Sequence, residues 1–350
     1  MGHLLVRCEG SARDRGAAHG EAARDLIHEN IDTYRLLLRR RLGIPWATAR
    51  RHAAGFVPRI RAFDRALADE IAGIAAGARA DVRDIVVLNA RSSLTLTHSP
   101  DDCTSFAVVP GVGEPGAPLL AQNWDNLTRL RAVVLDVRDP GTPRILTLTE
   151  AGTLAKIGLN SEGIGIVVNG LHSLRPAARG VPIFVAIRKA LAATTLSDAV
   201  RVISTTPKDG PHHYLVASRD RAAFSVEALP SEYDMLTPAG RFLVHTNHYI
   251  GARFLARREC RLREPDSVVR LWRAERLLAA CRGAVGVTEA KGVLSDHSDA
   301  PGAICRHAHD TADGLAGETK CAVIMELGAG RMHVSEAHPC KSGLEPFSFA

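Results

Sequence analysis

One cysteine of this sequence occupies a position where its thiol could act as a nucleophile. The stretch DDCTSF (101–106) places Cys103 after two aspartates and before a run of small and apolar residues. Because aspartates are rarely buried, the peptide bond before Cys103 is expected to lie at an accessible edge. A thiolate attacks carbonyl carbons once a base is near, yet no histidine stands at catalytic spacing in this stretch. The alternative is that Cys103 is an inert buried cysteine.

The missing base could come from Cys103 itself. If the bond between Asp102 and Cys103 were cut, the cysteine would gain a free α-amine. The reference pKa of such an amine, about 8, suits proton abstraction from a thiol. These residues therefore allow a self-cleaving chain whose nucleophile becomes a new N-terminus.

Two further polar stretches could support such a thiol. QNWDN (122–126) contains Asp125, whose carboxylate could orient the new amine or a cation; the alternative is an ordinary turn. HTNHY (245–249) follows the apolar run RFLV, and the amide NH2 of Asn247 could donate to an oxyanion. The alternative for this second stretch is a polar strand end.

The stretch LSDHSDAPGAICRHAHD (294–310) contains both metal-binding residue types and an arginine. Its candidate ligands are Asp296, His297, Cys305, His307 and His309. The Cys-x-His-x-His spacing is not a familiar zinc pattern and no second ligand pair lies nearby in the sequence, so no metal is expected. Arg306 is instead expected to hold a carboxylate such as Asp125 through two hydrogen bonds.

The bulk composition argues against several classes of partner. The 350 residues carry a net charge of +6, but no nucleic-acid-binding motif occurs, so no nucleic-acid partner is expected. No apolar run reaches the roughly 18 residues that span a bilayer and no export signal is seen, so no membrane partner is expected. Seven widely spaced cysteines, an odd number, favour reduced thiols in the cytoplasm. No glycine-rich phosphate loop is present, and no cofactor is expected.

The elements that must position these residues change character near residue 102. Before it, apolar residues at three- and four-residue spacing predict helices over about 21–42 and 47–80, and a short helix capped by Asp81. After it, short β-like runs separated by Gly, Pro and Asn predict an antiparallel meander, and 319–337 predicts a hairpin. Further helices are predicted near 181–193, 197–205, 267–281 and 288–295. This order of elements predicts a layered α+β fold.

Six stretches, taken in order, resemble a known family. They are RGAAHG (15–20), CTSF (103–106), QNWD (122–125), EAGTLAKIGLNSEGIGIVVNGL (150–171), HTNHY (245–249) and ICRH (304–307). Together they resemble the acyl-coenzyme A:6-aminopenicillanic-acid (isopenicillin-N) acyltransferase family, the cysteine branch of the N-terminal nucleophile (Ntn) hydrolases. The resemblance implies a four-layer αββα sandwich of two antiparallel sheets with a helix-rich N-terminal segment.

The resemblance also implies a precursor that cleaves itself between Asp102 and Cys103. The two pieces, 1–102 and 103–350, would stay together as a single Ntn-hydrolase domain. One member of the family has Gly before the cut, where this sequence has an aspartate.

Four residues receive catalytic roles from the resemblance. Cys103 would be the nucleophile and, through its α-amine, the base. Asp125 would lie near that amine with Arg306 as its partner, and Asn247 would be the oxyanion donor. The implied substrate is an acyl amide or an acyl-coenzyme A thioester; we favour amide hydrolysis, with acyl transfer in the same site.

Two alternatives stay open at this point. The first is an amidase similar to choloylglycine hydrolases, a neighbouring branch whose chain begins close to its cysteine. The helical segment 1–102 argues against it. The second is a binding protein that keeps the Ntn fold without catalysis and leaves Cys103 uncut.

Overall fold

The computed structural model describes residues 2–95, 102–111, 113–174, 180–260 and 262–349. Before Cys103 the chain is mainly helical, as its apolar spacing predicts, although it opens with a strand, β1 (Leu4–Cys8). The helices that follow are α1 (Ala12–Ala22), α2 (Arg24–Leu42), α3 (Trp46–Ala54), α4 (Val57–Phe63), α5 (Arg65–Ala78), α6 (Val82–Ala90) and α7 (Ser92–Thr95). The predicted cap of α6 is confirmed, because the Asp81 carboxylate accepts a hydrogen bond from the Arg83 N–H.

The predicted run of short strands directly after Cys103 is also confirmed. As a meander it is interrupted once, because its first two strands belong to one sheet and the next four to the other. Its strands are β2 (Thr104–Val108), β3 (Leu119–Leu127), β4 (Ala132–Val137), β5 (Ile145–Glu150), β6 (Ile157–Asn160) and β7 (Ile164–Gly170). Every residue of these strands is buried except Ala132, the first of β4, and Gly170, the last of β7. Such strands therefore have covered faces on both sides.

The remaining elements include the predicted helices and the terminal hairpin. They are α8 (Ile183–Leu191), α9 (Leu196–Thr205), β8 (His212–Ser218), β9 (Ala222–Leu229), β10 (Glu232–Leu236), β11 (Phe242–His245), α10 (Ala252–Leu255), α11 (Asp266–Ala280), α12 (Val287–Leu294), β12 (Gly317–Glu326), β13 (Arg331–Ser335) and β14 (Leu344–Ser348). Strands β12 and β13 pair antiparallel, which confirms the hairpin. No helix among the described residues is both long enough and apolar enough to cross a membrane.

The described strands form two sheets. One has the order β1-β4-β5-β6-β7-β8-β9-β10, and the other has the order β11-β2-β3-β12-β13-β14. Neighbouring strands run antiparallel except β1 and β4, which are parallel with Val6 opposite Leu135. The prediction of two antiparallel sheets therefore holds for every pair but this one. The exception arises because β1 comes from the N-terminal segment and joins the edge of the meander.

Three apolar cores separate four layers. The N-terminal helices, α8 and α9 pack on the larger sheet around residues such as Ile27 and Tyr214. The two sheets face each other across a second core that includes Cys103 and Trp124. Helices α11 and α12 cover the other face of the smaller sheet around Phe106. The order helix, sheet, sheet, helix confirms the αββα sandwich.

The N-terminal segment is an integral layer of this sandwich. Gly16 in α1 lies so close to α5 that a Cβ atom there would overlap the Glu70 carbonyl oxygen, so only glycine permits the contact. The Asn30 side chain donates to the carbonyl oxygens of Arg131 and Ala151, at 2.9 and 3.0 Å. The Asn30 hydrogen bonds, together with the pairing of β1 and β4, join the chain before Cys103 to the chain after it.

Candidate active site

Cys103 stands at the start of β2, between the two sheets. Its exposed fraction is 1%, and its Sγ lies 3.9 Å from the backbone oxygen of Asp125. Its carbonyl oxygen accepts hydrogen bonds from Arg270 Nη1 at 2.9 Å and from Asn169 Nδ2 at 3.3 Å. The backbone of the candidate nucleophile is therefore fixed by two side chains from different elements.

Arg306 brings the carboxylates around this cysteine together. Its Nη1 donates to Asp102 Oδ2 at 3.1 Å, its Nε lies 3.6 Å from Asp125 Oδ2, and its Nη2 contacts Asp266. The predicted pairing with Asp125 is present, but it is an ion pair without a hydrogen bond rather than a two-bond clasp. The hydrogen bond from Arg306 goes instead to Asp102, which directly precedes the candidate scissile bond between Asp102 and Cys103.

The position of Arg306 is fixed by hydrogen bonds of its backbone. The residue lies in the loop between α12 and β12. Its N–H donates to Thr319 Oγ1 at 2.9 Å, and the Thr319 N–H donates back to its carbonyl oxygen at 3.1 Å. The same threonine hydroxyl donates to Asp125 Oδ1 at 2.7 Å. Thr319 thus connects the arginine to the aspartate.

Asp125 is a buried acid that titrates near neutrality. Its exposed fraction is 1%, and burial raises its pKa to about 7, although Arg306, Arg270 and Thr319 act to lower it. Asp102 and Asp125 both lie against the Arg306 guanidinium, at 3.1 and 3.6 Å. A carboxyl group with this pKa can both give and take a proton beside the peptide bond between Asp102 and Cys103.

Asn247 is held in one orientation just after β11. Its Nδ2 donates to the Gly170 carbonyl oxygen at 3.0 Å, and its Oδ1 accepts from Arg270 Nη2 at 3.1 Å. The same guanidinium also donates to Thr104 Oγ1 at 3.0 Å. Because Arg270 fixes the oxygen end of the amide, the NH2 end cannot flip away, which suits an oxyanion donor.

Arg270 is the principal site residue that the sequence interpretation missed. It lies within α11, where arginines are common and no motif marks this one. The buried positions of α11 are Ser267, Arg270, Ala274 and Leu278, so the arginine occupies the face that packs on the sheet. An arginine at the spacing of buried apolar residues was the available signal. Asp266, whose Oδ2 lies 3.6 Å from Arg270 Nε, was missed for the same reason.

A small pocket of about 20 Å³ opens beside Cys103. One part of its wall is apolar and includes Val168, Ile183 and Phe184. Another part carries Arg91 and Lys156. The pocket is therefore amphipathic and, at this volume, has room for roughly one water molecule.

Both cations of the pocket are paired with one buried acid. Glu150 accepts from Arg91 Nε at 2.9 Å, from Lys156 Nζ at 3.1 Å and from the Tyr34 hydroxyl at 2.7 Å. Burial acts to raise the Glu150 pKa, but these partners outweigh it and lower the value to about 2. Since Arg91 precedes Cys103 in the chain and Lys156 follows it, both segments build this wall of the pocket.

The other residues of the predicted stretches have structural roles. Asn123 donates to the carbonyl oxygens of Leu294 and Ile304, both at 2.8 Å, and so attaches α12 to the sheet. His245 is fully buried with its Nε2 2.9 Å from Glu227. Asp296 pairs with Arg273 at 2.8 Å on the surface of α11.

Comparisons with known proteins agree with the family resemblance of the sequence motifs. Residues 112–338 match the sequence profile of the family described as acyl-coenzyme A:6-aminopenicillanic acid acyl-transferase. The acyl-coenzyme A:6-aminopenicillanic-acid-acyltransferase 40 kDa form of Emericella nidulans is 30% identical over 318 residues, which cover 87% of this chain and 84% of that protein. This similarity includes residues on both sides of Cys103.

Two solved structures are also similar. The Caenorhabditis elegans N-acylethanolamine-hydrolyzing acid amidase ortholog is 16% identical with a TM-score of 0.48, over 71% of this chain and 100% of that chain. Penicillin V acylase from Agrobacterium tumefaciens is 14% identical with a TM-score of 0.46, over 71% of this chain and 86% of that chain.

Proposed function

Because the chain belongs to the acyl-coenzyme A:6-aminopenicillanic acid acyltransferase family, and is an Ntn-type enzyme acting on carbon–nitrogen amide bonds, we propose that it activates itself by cutting between Asp102 and Cys103. One observation carries this proposal. The two residues of that bond are held separately, Asp102 by Arg306 and the Cys103 carbonyl by Arg270. A bond fixed on both sides is prepared for attack by the adjacent thiol.

The cut itself needs no other protein. Cys103 Sγ attacks the Asp102 carbonyl carbon, the carbon–nitrogen bond breaks, and the acyl group passes to sulfur as a thioester. The nitrogen gains a proton and becomes the α-amine of Cys103, and water then hydrolyses the thioester. Asp125 supports this sequence because its pKa of about 7 lets it supply or accept the proton.

The same thiol then turns over substrate. The α-amine takes the thiol proton, sulfur attacks the carbonyl of an acyl amide, and the leaving amine takes a proton as the acyl-enzyme forms. Asn247 Nδ2 stabilises the oxyanion, its orientation supported by Arg270. Water as the acceptor gives amide hydrolysis, which we favour; an amine as the acceptor, or an acyl-coenzyme A as the donor, gives acyl transfer.

The two segments, 1–102 and 103–350, act as one enzyme domain after the cut. The contacts of Asn30 with the later strands and the shared Glu150 network support this, because cutting a single bond breaks none of them. We also place the enzyme in the cytoplasm. No disulfide joins the seven cysteines, all of which lie in the described parts of the chain, and this agrees with a reducing compartment.

Intact-mass analysis of the purified protein tests the self-cleavage. The wild type should give two fragments, 1–102 and 103–350, and Cys103→Ala should stay whole. Cys281→Ala is the matched control, since it removes a thiol from the outer helix layer and should be cut normally. Equal cutting of the Cys103→Ala protein would refute the proposal. An uncut wild type whose Cys103 resists an alkylating probe would favour a binding protein.

A mass screen of the processed enzyme tests the reaction. Acyl amides and acyl-coenzyme A thioesters are offered separately, and the mass added to the fragment that begins at Cys103 identifies the acyl group. Acyl adducts that form from amides and then decay in water indicate a hydrolase. Adducts that persist until an amine is added indicate a transferase, and turnover of bile-salt amides alone would favour the choloylglycine-hydrolase alternative.

A further inference from the structure

A second cluster of chemically competent side chains lies beyond the arginine of the site. His297, Cys305, His307 and Cys340 bring one nitrogen or sulfur atom each to within 4.8 Å of one another. His297, Cys305 and His307 lie in the loop between α12 and β12, with Arg306 between the last two, and Cys340 precedes β14. Two separate parts of the chain therefore converge on one point.

Four of the six distances within the cluster lie close to those of ligands around a single ion. Sγ of Cys305 and Sγ of Cys340 are 3.6 Å apart, and Cys340 Sγ is 3.4 Å from His307 Nε2. The Nε2 atoms of His297 and His307 are 3.0 Å apart, and Cys305 Sγ is 4.0 Å from His307 Nε2. Tetrahedral zinc with ordinary bond lengths separates two sulfurs by ~3.8 Å, sulfur from nitrogen by ~3.6 Å and two nitrogens by ~3.3 Å.

We propose that His297, Cys305, His307 and Cys340 form a structural zinc site. Two thiolates and two imidazoles are a ligand set that zinc prefers, and their charge balances that of the divalent ion. Four protein ligands leave no open position for a substrate or water, so the ion would stabilise the fold and take no part in catalysis.

The sequence alone pointed away from a metal because the ligands are so far apart. Cys305 and His307 form a pair, but His297 lies 10 residues before His307 and Cys340 lies 33 residues after it. The folding of β12, β13 and the following turn brings Cys340 back to the loop. His309, which was a candidate ligand by sequence, is exposed and does not belong to the cluster.

The proposed ion would act on the part of the chain that carries Arg306. Ligands lie on both sides of this arginine, at Cys305 and His307, so zinc would fix the backbone from which its guanidinium reaches Asp102. It would also attach the segment before β14 to the same loop. Since His297 and Cys340 are exposed, chelators can reach the ion from solvent.

The test measures metal binding by the purified, reduced, full-length protein. After removal of metal with EDTA, Co²⁺ is added as a spectroscopic probe, and Zn²⁺ is then used to displace it. The expected result is one equivalent of cobalt with thiolate charge-transfer absorption, and its replacement by one equivalent of zinc. Elemental analysis of the protein as purified should also give about one zinc per chain.

Single-ligand variants locate the site. Cys340→Ser and His297→Ala remove exposed ligands, and each should reduce bound metal by tenfold or more at an equal concentration of competing chelator. Cys281→Ser and His309→Ala are the matched controls and should bind as the wild type does. Circular dichroism of each variant confirms that loss of binding is not loss of fold.

Three results would overturn the proposal. The first is a reduced wild-type protein that binds no cobalt or zinc above the level of the Cys340→Ser variant. The second is metal binding that survives both ligand substitutions, which would mark adventitious ions elsewhere. The third is a Cys305–Cys340 disulfide, seen as a loss of two mass units, that persists under mild reduction and excludes the metal.

Discussion

Replacing Asp125 by asparagine should remove a loss of stability that the protein undergoes as pH rises, while slowing its processing. Burial raises the pKa of this carboxyl from 3.8 to about 7. The folded chain thus holds the proton more tightly than the unfolded chain does, and the stability due to this group falls as pH rises from about 4 to about 7. Asparagine has nearly the same shape and carries no titrating proton, so this part of the pH dependence should disappear.

The size of the effect follows from the two pKa values. A shift of one unit corresponds to ~1.4 kcal/mol, so the full loss over the window is about 4 kcal/mol. Part of this stability is already lost at pH 5, so the loss between pH 5 and pH 8 is about 3 kcal/mol. Placing an amide beside Arg306 also changes the unfolding free energy by an amount that does not depend on pH. This amount cancels when the difference between variant and parent at pH 5 is subtracted from the difference at pH 8.

Urea unfolding measured by tryptophan fluorescence provides the assay. Both proteins should carry Cys103→Ala, so that neither is cut and no new α-amine perturbs Asp125. The difference in unfolding free energy, variant minus parent, should increase by about 3 kcal/mol from pH 5 to pH 8. With Cys103 restored, the fraction of Asp125→Asn protein that is cut should accumulate more slowly.

Glu150→Gln is the matched control with the opposite sign. Arg91 and Lys156 lower the pKa of this buried acid to about 2, so its charge stabilises the fold at neutral pH. The glutamine variant should be less stable than its parent at pH 8. If Asp125→Asn shows no gain between pH 5 and pH 8, the reasoning about its buried charge is refuted. If processing is unchanged, Asp125 has no part in the cut.

The remaining predictions concern the oxyanion donor, its support and the helix layer. Asn247→Ala should keep the fold and lower kcat by roughly 10²–10³, and equal rates would remove it from the mechanism. Arg270→Lys cannot reach the three oxygen atoms that Arg270 contacts, so kcat should fall while KM stays near wild type; a change in KM alone would contradict its role in positioning Asn247. Gly16→Ala should lower the melting temperature strongly, whereas Gly292→Ala, in a helix position with open space, should raise stability by up to ~1 kcal/mol. Similar melting temperatures for the two variants would contradict the close packing of α1 on α5.

Much of the fold could be predicted because its signals are local. The three- and four-residue apolar spacing of the N-terminal helices and the short β-like runs after Cys103 depend only on neighbouring residues. The strand Leu4–Cys8 was missed, since five residues have little periodicity and this strand is defined by its distant partner β4. The helix expected over 47–80 is three helices, which are broken near Gly55 and Asp64.

The candidate site was predictable only where a motif marked it. Asp125, Asn247 and Arg306 lie in recognisable stretches, and the structure brings all three to the neighbourhood of Cys103. Arg270 lies in a helix that contains two other arginines, and only its burial distinguishes it. The pairing geometry of Arg306 could not be predicted either, because Asp102 and Asp266 compete for the same guanidinium.

The N-terminal layer has a consequence for how the enzyme would lose its structure after the proposed cut. With the bond before Cys103 cut, segments 1–102 and 103–350 would be joined by packing alone, through β1, Asn30 and the Glu150 network. Unfolding then releases two separate chains, so renaturation becomes a second-order process that slows as the protein is diluted. The uncut Cys103→Ala chain keeps its partner covalently attached and refolds as a single molecule. Self-cleavage would thus turn a folding equilibrium that is independent of protein concentration into one that depends on it.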